Sequence, residues 1–194
     1  TPTNMAQEIF IEFIPLNNYV DVGTWNIRLV PREIVNGRFD MWLPTGEVIT
    51  AATGFLQPTE EITLTIPSTA RNVITVGAYD ASTNSFSYFS GRGYTRYYLD
   101  FKPDLVAPGV NITSTAPGGG YTSMTGTSMA TPFVTGSAAL MMQWGIVEGN
   151  DPYLYGEKVK AYLIAGTRKL DIEPVYPNPT LGYGALCLRE SFRW

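Results

Sequence analysis

The stretch Gly126-Thr127-Ser128-Met129-Ala130-Thr131-Pro132 is the part of this chain best suited to covalent chemistry. A glycine lets the backbone turn sharply, and a serine at the head of a helix lies in the positive end of the macrodipole, beside N–H groups that lack helical acceptors. Those are the conditions for a hydroxyl nucleophile whose product oxyanion needs donors. The same residues suit a plainer part. Serine is a preferred helix N-cap, and Ser128 would then serve only the helix. Spacing alone does not separate the two.

Composition limits what could activate such a serine. The 194 residues include no histidine and a single cysteine, Cys187. The chain therefore cannot by itself supply a Ser-His-Asp triad, a Cys-His dyad, a histidine-bearing zinc site or an internal disulfide. A lysine base would have to be Lys102, Lys158, Lys160 or Lys169, and all four lie outside the uncharged stretch Leu105 to Val147 that contains Ser128. Gly118-Gly119-Gly120 lacks the Gly-Lys-Ser/Thr ending of a phosphate cradle and reads as a loop. Asp171 and Glu173 read as solvated charges in preference to calcium ligands or a glycosidase pair. Cys187, between Leu186 and Leu188, reads as a buried, inert thiol. Trp25, Phe39 and Trp42 could line a sugar-binding face, but alternating aromatics better suit the core of a small sandwich.

Charge and hydropathy exclude further classes. Lys plus Arg number 13 and Asp plus Glu 17, for a net charge of −4. No basic run appears, so neither nucleic acid nor a membrane surface is an expected partner. No segment reaches the roughly 18 apolar residues of a membrane span, and the start lacks a signal-peptide pattern. The chain reads as soluble, and as mature or truncated. Its 44% hydrophobic and 15% charged residues suit a well-packed globular fold.

Two textures stand behind the candidate serine. Between Glu8 and Leu43, the stretches Glu8 to Ile14 and Thr24 to Val30 alternate with period 2, Trp25, Ile27 and Leu29 sharing one face, and Phe39 to Pro44 adds a short strand. Asn17-Asn18 and Asn36-Gly37 are turn candidates. The expectation is part of an antiparallel β-sandwich over residues 1–57, with Thr45 to Pro58 as an irregular crossing, followed by an α/β region over 58–194. There, Val73 to Ala78 reads as a strand covered on both faces and Val110 to Thr115 as another. A helix from Ser128 to Trp144 is apolar on nearly every side, with Gly136 to Ala139 allowing close neighbours, and belongs in a core. A second helix near Tyr155 to Ala165 buries Val159, Tyr162 and Leu163 and ends at Gly166.

Gly126-Thr127-Ser128-Met129-Ala130-Thr131-Pro132 resembles the signature around the catalytic serine of subtilisin-like serine proteases. The likeness extends over roughly residues 62 to 190. Val73 to Asp80 resembles the family's strand before its last catalytic segment, Phe86-Ser87-Tyr88-Phe89-Ser90-Gly91 its Phe-Ser turn, Asp104 to Val110 its Ala-Pro-Gly-Val segment, and Gly182-Tyr183-Gly184 its C-terminal Gly-x-Gly. Trp25-Asn26-Ile27 and Phe39-Asp40-Met41-Trp42-Leu43-Pro44 resemble the jelly-roll-like insertion of clostridial spore-germination proteases of this family.

The resemblance implies an α/β fold: the C-terminal part of a subtilisin-like parallel-sheet domain, preceded by part of a jelly-roll-like insertion. It implies that Ser128 Oγ attacks a peptide carbonyl, that the Ser128 N–H is one oxyanion donor, and that Gly126, Thr127 and Met129 complete the nucleophile loop. The family's catalytic Asp and His and its oxyanion Asn lie upstream of the serine, and nothing here matches them. Phe133 stands where the family usually has a non-catalytic histidine, a change of packing. The expectation is the C-terminal piece of a longer serine endopeptidase, inactive alone, acting on protein or peptide substrates and pairing with its N-terminal part or a second copy. No cofactor is expected; calcium would fit the family, but no site is identifiable. A secreted or spore-associated bacterial location is likewise implied only by resemblance. The alternatives are a non-catalytic, partner-binding member of the family and a ligand-binding sandwich attached to a spent core.

Overall fold

A computed structural model describes residues 8–35, 37–44, 49–50, 52–96 and 101–193. Its contacts fall into two units, Thr1–Thr53 and Gly54–Trp194.

In the first unit the chain turns at Asn17-Asn18, both at positive φ, and this turn closes the antiparallel bridge Leu16 to Tyr19. Two successive positive φ values suit a primed hairpin turn, which asparagine tolerates. The expected strands over Glu8 to Ile14, Thr24 to Val30 and Phe39 to Pro44 do not form ladders among the described residues. Phe13 and Trp25 meet edge to face at 4.9 Å, yet Trp25 (55%), Phe39 (65%) and Trp42 (61%) are exposed, so they form no core here. Alternation readies one face of a strand for burial, but a ladder partner and a covering layer must come from elsewhere. Asn36 of the second turn candidate, and 45–48 and 51 of the crossing, lie outside the described residues.

The second unit is built on a three-stranded sheet ordered β2-β1-β3. Strand β1 (Val76–Asp80) runs parallel to β3 (Leu105–Pro108), with Val76 opposite Leu105 and Tyr79 opposite Pro108, and antiparallel to β2 (Ser85–Phe86). Side chains alternate across it. Ala78, Leu105 and Ala107 join Ala130, Val134 and Met141 in one buried cluster, while Tyr79 and Val106 join Leu170, Leu181 and Ala185 in another. Both faces are thus covered, as parallel strands require. Strand β1 starts three residues later than the apolar run suggests. Val73 and Thr75 are engaged by side chains instead: the Val73 carbonyl accepts from Lys102 Nζ at 2.8 Å, and the Thr75 N–H donates to Asp104 Oδ2 at 2.6 Å.

A hairpin of β4 (Ile112–Thr115) and β5 (Tyr121–Met124) leads into helix α1 (Thr127–Met142), which widens into a π-helical turn over Gln143–Val147. Helix α1 packs on β1 and β3 through buried Ala130, Val134, Ser137 and Met141, with Ala138 half-buried beside them. The expectation of a helix enclosed all round is corrected here: Phe133 (41%), Leu140 (53%) and Met142 (45%) face outward, and Gly136 meets open space. A two-stranded parallel platform covers one side of a helix and no more.

Helix α2 (Gly156–Ala165) buries Val159 and Leu163, with Tyr162 half-buried. It ends at Gly166 for a reason other than φ, which is −81°. Short helix α3 (Leu188–Ser191) passes so close that a Cβ on Gly166 would overlap the Ser191 backbone N and hydroxyl. Cys187, just before α3, is half-buried and accepts the Ser191 hydroxyl on its carbonyl.

Two glycines therefore make opposite predictions. Gly166→Ala should lower stability by about 1–3 kcal/mol through overpacking. Gly136→Ala, on an open helix face, should raise it by about 0.5–1 kcal/mol through helix propensity. Urea midpoints of the chain and its two variants check both signs.

Candidate active site

The site is set by how α1 begins. The chain arrives along β5, passes Thr125 and extended Gly126, and enters the helix at Thr127. Helix α1 has no side-chain cap hydrogen bond, and Ser128 is exposed in its first turn. The capping alternative is therefore not what the hydroxyl does. The Ser128 N–H belongs to the first-turn donors without an intrahelical acceptor, whereas the Met129 N–H is taken by the Gly126 carbonyl at 3.0 Å. No acidic residue lies in this turn, so the positive end of the helix dipole is left to whatever forms at Ser128. Pro132 sits inside the helix, and its missing N–H deprives the Ser128 carbonyl of its i+4 donor.

Two contacts clamp the turn to the end of the sheet. The Gly126 N–H donates to the Gly109 carbonyl at 2.8 Å, and the Gly109 N–H donates to the Tyr79 carbonyl at 3.0 Å. Thr125 Oγ1 accepts the Asn111 N–H at 3.0 Å. Gly109 has no room for a side chain: a Cβ would stand 2.6 Å from Ala78 Cβ and 2.9 Å from the Gly126 carbonyl oxygen. Neither Gly109 nor Thr125 was singled out for this by residue type. The available signal is that Gly109 follows Pro108 at the end of an apolar strand.

Of the loop Gly126, Thr127, Ser128 and Met129, only Ser128 is exposed; the other three are half-buried. Gly118, Gly119 and Gly120, all at positive φ, form the turn between β4 and β5. The four lysines are engaged elsewhere. Lys102 and Lys160 both bind Asp104, at 2.7 and 2.8 Å. Lys158 donates to Asp151 Oδ1 at 2.7 Å, a bond that raises its pKa above the ordinary lysine value and lowers that of Asp151. Lys169 meets the Tyr183 carbonyl, and burial lowers its pKa. Among the described residues no group of three His, Cys, Asp or Glu converges as a metal site. Phe133 stands one turn beyond Met129, partly exposed.

Ser128 thus presents a hydroxyl and a backbone donor on a turn tied to the sheet, and among the described residues no basic or acidic side chain bonds that hydroxyl. Such an arrangement has the chemistry to hold a nucleophile and one oxyanion donor.

Comparison with known proteins places this arrangement in context. The model of the subtilase family matches residues 43–184. The serine protease AprX of Bacillus subtilis is 38% identical over 166 residues, covering 75% of this chain and 35% of AprX. Subtilisin Savinase of Lederbergia lenta is 46% identical over 82 residues, covering 41% of this chain and 27% of that protein. Among solved structures, the CspB protease of Clostridium perfringens superposes with a TM-score of 0.69 at 51% identity, covering 72% of this chain and 30% of the CspB chain. This chain spans about a third of the length of AprX and of the CspB chain.

Ser128→Ala should change stability by no more than about 0.5 kcal/mol, since an exposed hydroxyl that caps nothing is lost. A cost near 1 kcal/mol would restore the capping role. Gly109→Ala should instead lower the denaturation midpoint and speed hydrogen exchange at the Gly126 amide, because it displaces the clamp.

Proposed function

The chain belongs to the subtilase family, and on that premise we propose that it is the serine-bearing part of a serine endopeptidase, with Ser128 as the acyl-transfer nucleophile. The observation that carries this reading is the exposed, uncapped Ser128 on a turn clamped to the end of β3 by the Gly126 to Gly109 hydrogen bond. Ser128 Oγ attacks the carbonyl carbon of a peptide bond while a base accepts its proton. The Ser128 N–H donates to the oxyanion that forms.

The base and the second oxyanion donor come from residues outside these 194, which include no histidine. By the resemblance drawn above, they are the Asp, His and Asn of an upstream segment of the same protease. The partner is then that N-terminal part, with a second copy of this chain as the alternative. The outward apolar side of α1 supports the need for such a partner. Phe133, Leu140, Met142, Ile146 and Val147 are all partly or largely exposed, and no charged side chain lies between Leu105 and Val147. In the same reading, residues 1–57 are part of a jelly-roll-like insertion and residues 58–194 the C-terminal part of the catalytic domain. Substrates are proteins or peptides, and the location is secreted or spore-associated. No helix of the described residues is long and apolar enough to cross a membrane.

The chain alone should show no peptidase turnover, since loss of the base costs about 10⁶-fold in kcat. Co-expression with the Asp- and His-bearing part of a subtilase should restore fluorophosphonate labelling that Ser128→Ala abolishes. Labelling of the chain by itself would refute the missing-base reading. A folded complex that never labels would favour the non-catalytic member of the family. Leu140→Lys should leave the chain's own stability within about 0.5 kcal/mol, because the site is exposed, yet abolish recovery of the complex.

A further inference from the structure

A cavity of about 390 Å³ lies away from Ser128, where α2 meets the segments that precede β1 and β3. Arg71, Asn72, Phe101, Lys102, Lys160 and Tyr183 line it. Behind its wall is a buried ionic cluster whose charges, among the described residues, do not balance. The Lys102 and Asp104 side chains are 1% and 4% exposed, and Lys160 is 17% exposed. Among the described residues, Asp104 is the only carboxylate in contact with either ammonium group: Lys102 Nζ lies 2.7 Å from Oδ2 and Lys160 Nζ 2.8 Å from Oδ1. Their other partners among those residues are neutral carbonyls, that of Val73 for Lys102 and those of Arg71 and Val73 for Lys160.

Among the described residues two positive charges therefore share one negative charge, and Asp104 also accepts the Thr75 N–H. Lys160 spends its three N–H groups on Asp104, Arg71 and Val73. Lys102 spends two, and among the described residues its third has no acceptor. Burial, and secondarily the neighbouring charge of Lys160, holds the Lys102 pKa below the ordinary lysine value. A buried ammonium donor without a partner and an uncompensated buried charge are both costly. Both are relieved by one negatively charged acceptor in the adjoining cavity. Among the described residues, Glu157 is the other carboxylate lining the cavity, and it is exposed.

We propose that this cavity is a binding site for a small oxyanion, held against Lys102 and Lys160. The site is independent of the nucleophile turn and of the protease reading. The chemistry is that of a charge-assisted hydrogen bond, which favours an acceptor carrying a full negative charge.

The test is titration of the 194-residue chain with inorganic phosphate, and separately with acetate, against chloride at matched ionic strength. Binding is read by calorimetry and by the ε-methylene resonances of the two lysines. The expected result is saturable one-to-one phosphate binding, with a dissociation constant on the order of millimolar, and movement of both lysine signals. Acetate, with a single charge, should bind more weakly. Glu157→Gln should tighten phosphate binding by about threefold, the scale of one partly screened surface charge. Lys160→Met, which removes one of the two positive charges at the wall, should weaken it by about tenfold. A response that does not saturate, that chloride reproduces, or that survives Lys160→Met unchanged would overturn the proposal. So would Lys102 found as a neutral amine at neutral pH, because the cluster would then hold no unbalanced charge. If Lys160→Met does not fold, Glu157→Gln decides alone, and unchanged affinity overturns the site.

Discussion

The parallel pairing of β1 with β3 is the constraint from which the rest of the second unit follows, and it is locked at both ends. At the entry, Asp104 donates its N–H to the Thr75 carbonyl and receives the Thr75 N–H on its carboxylate. The same carboxylate ties in Lys160 of α2, and the Asp104 carbonyl accepts the Tyr183 N–H. One residue thus joins two strands, a helix and the C-terminal loop. Burying these ions is costly, and the cluster is better evidence of a specified register than of added stability. At the exit, Gly109 takes over, with its N–H on Tyr79 and its carbonyl receiving Gly126. A one-residue slip between these ends would turn Leu105 and Ala107 out of their cluster and carry the Ser128 turn with them.

Helix α1 shows how a single element serves two sets of neighbours. Its buried line Ala130, Val134, Ser137 and Met141 is small enough for close packing on the sheet. The remaining surface is just as free of charge, yet it faces outward in this chain. A helix that is apolar all round is stable only when enclosed. Among the described residues, no side chain bonds the serine hydroxyl at its head and no layer covers the outer face along its side.

The first unit teaches the opposite lesson about pattern. Its alternating stretches read as strands, and the turn at Asn17-Asn18 is present with both residues at positive φ. The ladders are not. A strand is completed by hydrogen bonds to residues distant in sequence, so an alternating stretch carries only one half of the information. Strand β1 forms its ladder because β3 is held beside it by Asp104, whereas among the described residues the alternating stretches have no such pairing.

Local chemistry in the sequence was enough to locate the sharp turn at Gly126 that leads into α1, to place α1 and α2 to within a few residues, and to find a strand whose two faces are both buried. Each depends on spacing over at most a few turns of backbone, which composition and periodicity record directly. Tertiary structure alone decided that Ser128 caps nothing, that only one side of α1 is covered, and that Gly166 yields to Ser191. It also assigned Gly109 its clamp and brought Lys102 and Lys160 onto one aspartate. These are contacts between residues that are far apart in sequence or that meet only by close approach. No local period encodes such distances, so they exist only once the strands and helices have packed.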